Sequence, residues 1–167
     1  MQITEEAFLI AINKHKGILY KVSRMYFDTH EDQQDLFQEI ILQLWKSVGT
    51  FKGTSELSSW IYRVALNTAI VFFKKEKKKV AQNSLSESER FVEEAYDDRK
   101  DEQLVHFYEA VKKLNKIEKA IILQVVEGFS GKEIAQNLGM SEGNVRVKTK
   151  RTKDKLQDII KAQGYES

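Results

Sequence analysis

Apolar residues recur at three- and four-residue spacing along most of the chain, the period of a helix that buries one face. In residues 4–26 the stripe is Phe8, Ile12, Leu19, Val22 and Tyr26, with Gly17 a tolerated weak point within it. Residues 31–48 repeat the pattern with Leu36, Phe37, Ile40, Ile41, Leu44, Trp45 and Val48. Glu31, Asp32 and Asp35 lie in its early turns, where the helix dipole favours acids, and Gly49 is a natural stop. A third stripe of Trp60, Ile61, Val64, Ala65, Thr68, Ala69 and Phe72 predicts a helix over 57–77, and the three together predict one bundle. Beyond residue 80 the period fails: Ser84, Ser86 and Ser88 alternate with Leu85, Glu87 and Glu89, acids follow, and the stretch reads as a linker with at most a short helix over 90–96. Periodicity returns over 102–114, 117–127, 131–137 and 141–161, which predicts a second bundle. The expected fold is all-α, two small helical bundles (1–79 and 104–167) joined by a flexible acidic linker (80–103).

Composition supports this and narrows the chemistry. The 167 residues are 41% hydrophobic and 31% charged, an ordinary globular balance, and contain no proline and no cysteine. Lack of proline favours helices over many-turned β architectures, and lack of cysteine excludes disulfides, zinc-thiolate sites and a thiol nucleophile. The net charge of +2 conceals opposed blocks. Residues 74–79 hold five lysines against one glutamate, residues 80–103 hold eight acids against three bases, and residues 144–167 hold seven bases against three acids. Two basic clusters separated by an acidic stretch point to a polyanionic partner. No apolar run approaches the roughly 18 residues of a membrane span, and Glu5 and Glu6 stand where a signal peptide would carry lysines, so a soluble cytoplasmic protein is expected. His15, His30 and His106 are far apart, and no His-x-x-x-His pair, glycine-rich phosphate loop or nucleophile elbow occurs, so no enzyme activity, metal or cofactor is expected.

The most specific local signal lies in residues 130–161. Ser130 and Glu133 have capping-box spacing, the hydroxyl accepting from the Glu133 amide and the carboxylate reaching back to the Ser130 amide. Gly139 suits the left-handed turn that ends this short helix, and Ser141 caps the next. Val145, Thr149, Thr152, Leu156 and Ile159 can then pack inward, leaving Asn144, Arg146, Val147, Lys150 and Arg151 outward. A short helix, a glycine turn and a long basic helix form a helix-turn-helix, whose second helix enters the major groove, where Arg and Asn read guanine and adenine. The lysine run at 74–79 extends a helix bearing Trp60, Tyr62, Arg63 and Asn67, a mixture of aromatic, cationic and amide groups suited to an unpaired strand, although Trp60 fits simple core packing equally well.

Taken in order, these segments resemble the extracytoplasmic-function (ECF) family of RNA polymerase sigma factors. Glu31-Asp32 through Asp35-Leu36-Phe37-Gln38-Glu39-Ile40, then Leu44-Trp45, is similar to the region 2 helix that docks on the polymerase β′ clamp helices. The resemblance therefore implies Asp35, Gln38 and Glu39 as polymerase contacts. Phe51-Lys52-Gly53, followed by Trp60 through Ala69, resembles the segment that opens the promoter and holds a flipped minus-10 base in a loop spanning 53–59. This implies Lys52, Gly53, Ser59, Trp60, Tyr62, Arg63, Asn67, Lys74 and Lys75 as minus-10 contacts. Glu127-Gly128-Phe129-Ser130 through Val145-Arg146 resembles region 4, implying Asn144, Arg146, Val147, Lys150 and Arg151 as minus-35 contacts. Asn115 stands where the family often has proline, Asn144 where threonine is common, Ser59 where threonine is common, and Val71 where an aspartate often follows the Asn67 motif. The implied partners are bacterial core RNA polymerase, through β′ and the β subunit, promoter DNA, and an anti-sigma factor of the kind usual in the family, with no direct membrane insertion. Two other readings fit the same helices: a self-contained helix-turn-helix regulator and a polymerase-binding adaptor.

Overall fold

A computed structural model describes residues 4–51, 53, 56–82 and 102–164, with side chains at all of these except 73–82 and 102–104. Among the described residues the structure is helical and contains no strand. The chain divides into two compact units, one within residues 1–91 and one within residues 92–167.

The first unit is a bundle of α1 (Glu5–Tyr26), α2 (His30–Ser47) and α3 (Leu57–Gln82), each packed on the other two, with a 3₁₀ turn (Val48–Thr50) after α2. Thr4 caps α1 by accepting from the Ala7 amide at 3.1 Å, ahead of Glu5 and Glu6 in the first turn. Thr29 does the same for α2, accepting from the Asp32 amide at 3.2 Å. Gln33 Nε2 donates to the Phe27 carbonyl at 2.8 Å, closing the short corner between α1 and α2. Leu19, Val22, Leu36, Ile40, Leu44, Ile61, Ala65, Leu66 and Ala69 are fully buried between the helices. The expected stripes of α1 and α3 face this core, but α2 departs from expectation in two ways. Trp45 is 43% exposed, meeting Phe8 in an edge contact at 5.0 Å between ring centroids. Leu36, Ile40 and Leu44 fill the space between α1 and α3, and Trp45 lies too far around the helix to join them. The stop at residue 49 is a tighter turn rather than a left-handed glycine: the Phe51 amide donates to the Val48 carbonyl at 3.2 Å, and the Thr50 hydroxyl to the Ser47 carbonyl at 2.6 Å. Helix α3 also runs past its expected end to Gln82, because the lysine run contains good helix formers and no glycine or proline. Most of the expected linker lies outside the described residues.

The second unit contains α4 (Glu102–Val111), α5 (Lys116–Val126), α6 (Gly131–Leu138) and α7 (Glu142–Ala162), with α7 packed on the other three. Asn115, in the place where the related pattern has proline, builds a full capping box. Its Oδ1 accepts from the Ile117 and Glu118 amides at 3.1 and 2.9 Å, while its own amide donates to Glu118 Oε1 at 2.8 Å. The box expected at Ser130 is only half formed. Its hydroxyl accepts from the Glu133 amide at 3.1 Å, but the Glu133 carboxylate accepts from that hydroxyl and not from the Ser130 amide. Gly139 sits at φ 67°, and the Met140 amide donates to the Ala135 carbonyl at 3.0 Å, a Schellman closure that only a residue at ease with positive φ permits. The core is Ile121, Ile134, Ala135 and Val145, walled by Ile117, Val125, Phe129, Leu138 and Met140.

Leu36→Ala should cost the first unit about 2–5 kcal/mol, the range for emptying a fully buried aliphatic site. Trp45→Ala should cost less than Leu36→Ala because 43% of Trp45 is already in water. Urea unfolding of both variants gives the comparison, and equal losses would mean that Trp45 belongs to the core.

Candidate nucleic-acid interface

The roll of α7 is set from beneath. Val145, Thr152 and Leu156 are buried, and the Thr152 hydroxyl donates to the Lys148 carbonyl at 2.6 Å, so its polar atom needs no outside partner. Ser141 caps the helix, accepting from the Asn144 amide at 3.1 Å. With that roll, Asn144, Arg146, Val147, Lys150 and Arg151 are all exposed, the outward face expected for them. Lys150 lies 3.8 Å from Asp154, with both side chains mostly in solvent, a pair too exposed to hold the lysine. The start of α7 flanks an open groove of about 700 Å³ floored by Val125, Phe129, Ile134 and Val145 and rimmed by Arg146 and Lys150.

Two polar links that the sequence pattern did not reveal lock α7 and α6 onto α5. Asn137 Nδ2 donates to Gln124 Oε1 at 2.8 Å, and Gln124 Nε2 donates to the Ala120 carbonyl at 3.1 Å, both side chains being buried. Lys155 Nζ donates to Glu118 Oε1 at 2.9 Å, joining α7 to the first turn of α5. Burial of Glu118 raises its pKa, but the Asn115 amide and then Lys155 and Lys148 outweigh that and leave the carboxyl below the usual range.

In the first unit, Asp35 and Gln38 are exposed on α2, and Glu39 is half-buried with its Oε1 accepting from Gln43 Nε2 at 3.0 Å. Leu42 and Trp45, both 43% exposed, continue the Asp35–Gln38 stripe along the same side of α2. Arg63 and Asn67 are exposed four residues apart on α3, and Gly53 is exposed at φ 73°. The two aromatic residues expected at the minus-10 surface are largely covered in this structure. Trp60 and Tyr62 are 9% and 4% exposed, Trp60 packing on Phe51 at 5.3 Å, because the wide apolar face at the start of α3 takes both flanks of Ile61 inward. Ser59 is half-buried. Lys52 lies outside the described residues; Lys74 and Lys75 lie on the described helix but their side chains do not. Among the described residues no cluster of His, Asp and Glu is arranged to hold a metal, and no helix is long and apolar enough to cross a membrane.

Residues 11–79 match the Sigma-70 region 2 family and residues 105–156 match Sigma-70 region 4, in that order along the chain. Among curated relatives, the RNA polymerase sigma factor SigV of Bacillus subtilis is 28% identical over 148 residues, covering 88% of this chain and 87% of that protein. The ECF RNA polymerase sigma factor SigM of Mycobacterium tuberculosis is 24% identical, covering 95% and 78%. Among solved structures, the fold is similar to the sigma factor RpoE in complex with the anti-sigma factor NepR from Bartonella quintana, with a TM-score of 0.71 at 19% identity, covering 94% of this chain and 96% of that one. It is also similar to CnrH in complex with the cytosolic domain of CnrY, with a TM-score of 0.64 at 19% identity, covering 95% and 90%. The chain belongs to the ECF family of sigma-70 factors. Sigma factors of this kind bind core RNA polymerase and promoter DNA and direct transcription initiation, and they are not generally enzymes. A chain that carries both regions in order favours this role over a self-contained regulator or an adaptor.

Because the carboxyl of Glu118 is held below its unfolded value, its contribution is present above the unfolded pKa near 4.3 and is lost as pH falls through the lower folded value. Between pH 5 and 3 the wild-type second unit should therefore lose more stability than Glu118→Gln. Thermal melts across that window test this, and parallel pH profiles would remove the ion pair from the stability of the unit.

Proposed function

We propose that this sigma factor divides its work among three surfaces. Asp35, Gln38 and Glu39 dock on the β′ clamp helices. Gly53, Ser59, Arg63 and Asn67, with Lys52, Lys74 and Lys75 on the phosphates, hold the minus-10 element and assist its melting. Asn144, Arg146, Val147, Lys150 and Arg151 read the minus-35 element. Trp60 and Tyr62 join this minus-10 surface from a largely covered position, Trp60 packing on Phe51 at the start of α3. The domain division that goes with this is region 2 over 1–79, a linker over 80–103 and region 4 over 104–167. The chain works in the cytoplasm, performs no chemistry of its own, and is held in check by an anti-sigma factor, a reading supported by the similar structures of RpoE in complex with the anti-sigma factor NepR and of CnrH in complex with the cytosolic domain of CnrY.

The observation that carries the minus-35 assignment is the exposed cationic and amide face of α7, held at a fixed roll by buried Val145, Thr152 and Leu156. A helix so presented can place Arg and Asn against base edges, whereas a merely solvated face needs no such immobilisation. Arg151→Ala should weaken binding to the preferred minus-35 sequence by about 1–3 kcal/mol while leaving binding to unrelated duplex nearly unchanged. Equal losses on both would make Arg151 a phosphate contact. Asp35→Ala should lower affinity for core polymerase at least several-fold without changing helicity by circular dichroism. Unchanged affinity would take α2 off the docking surface.

A further inference from the structure

Beyond the proposed reading face of α7 lies a lysine that is already engaged. Asn144, Lys148, Arg151 and Lys155 fall at i, i+4, i+7 and i+11, one stripe of an α-helix, and all four are exposed. The last of them donates to Glu118 Oε1 at 2.9 Å. Glu118 is not a mobile surface acid that happens to lie nearby. Its carboxylate also accepts from the Asn115 amide, its own amide donates to Asn115 Oδ1, and its side chain is only 18% exposed against 46% for Lys155. An exposed ion pair is ordinarily weak because two long side chains must be ordered to form it. Here the capping box has already ordered one of them.

We propose that Glu118 is a positioning residue that withdraws Lys155 from the DNA phosphates and thereby ends the DNA footprint of α7 near Arg151. This rests on the reading of α7 as the minus-35 helix and adds to it a device for selectivity. Affinity for DNA of any sequence grows with each lysine that displaces a counterion from a phosphate, whereas a lysine neutralised by a carboxylate displaces none. A helix with seven bases between 144 and 161 would otherwise bind duplex strongly without regard to sequence.

The test uses holoenzyme reconstituted with bacterial core polymerase and a promoter fragment from which it initiates, with affinity measured between 50 and 200 mM salt. Glu118→Gln is the informative variant, because glutamine still serves a capping box while the charge is removed. Its expected effect is the opposite of damage: tighter binding at low salt and a steeper salt slope, amounting to about a 3- to 4-fold larger loss of affinity across that range for one added phosphate contact. Adding Lys155→Gln to Glu118→Gln should return the slope to that of wild type. Lys150→Gln, in the reading face and away from Glu118, separates this proposal from the reading beneath it, since it should flatten the slope if α7 lies on DNA. A flattened slope in Lys150→Gln with no steepening in Glu118→Gln would overturn the role of Glu118 alone. No change in either variant would overturn both, and steepening that persists in the double variant would show that the freed charge is not Lys155.

Discussion

The second unit depends on one packing event, the seating of Val145 among Ile121, Ile134 and Ala135. Val145 is 1% exposed, one turn into α7, and the three residues around it come from α5 and α6. A helix held at one such point is still free to roll about its axis; Thr152 and Leu156, buried further along, remove that freedom. The left-handed turn at Gly139 and the Ser141 cap bring the chain to this seat at the required angle. The outward direction of Asn144 and Arg151 follows from what is buried beneath them, so the face proposed to read DNA is set by hydrophobic packing before it is a matter of charge.

Polar links then give the packing a unique register. The buried Gln124–Asn137 hydrogen bond would leave an amide unsatisfied if α6 slid by one residue, at a cost of about 1–3 kcal/mol. Apolar contacts alone tolerate such shifts, and the buried amides do not. The Asn115 box and the Glu118–Lys155 pair act in the same way at the other end of α5, fixing α7 ten residues beyond the Val145 seat. The first unit relies on aliphatic interdigitation of its three helices, with aromatic pairs such as Tyr20–Phe37 and Phe27–Phe72 at its margins.

How much of this was legible in the sequence depended on the range of the interaction. Caps, turns and stripes are local, so Ser141, Gly139 and the outward face of α7 could be read from spacing. The α3 extension to Gln82 was missed because charge patterning suggested a boundary where helix propensity did not. Trp45, Trp60 and Tyr62 were harder for another reason. On an apolar stripe wider than the contact it makes, only the neighbouring helices decide which edge is covered, so Trp45 stays wet while Trp60 and Tyr62 are covered. Glu118 and Lys155 are 37 residues apart, and nothing in either local pattern announces their meeting. The family was legible because its motifs are local helix faces and turns, whereas the contacts that set the angle of α7 are tertiary.

These constraints give a small helical sigma factor shape-fixed faces, one exposing an acid and an amide on α2 and another exposing cations and an amide on α7. The most direct measurement is run-off transcription by bacterial core RNA polymerase on fragmented genomic DNA, with and without this protein, with the starts sequenced. The account predicts discrete new starts that share two upstream elements. Polymerase binding without any new start would contradict it.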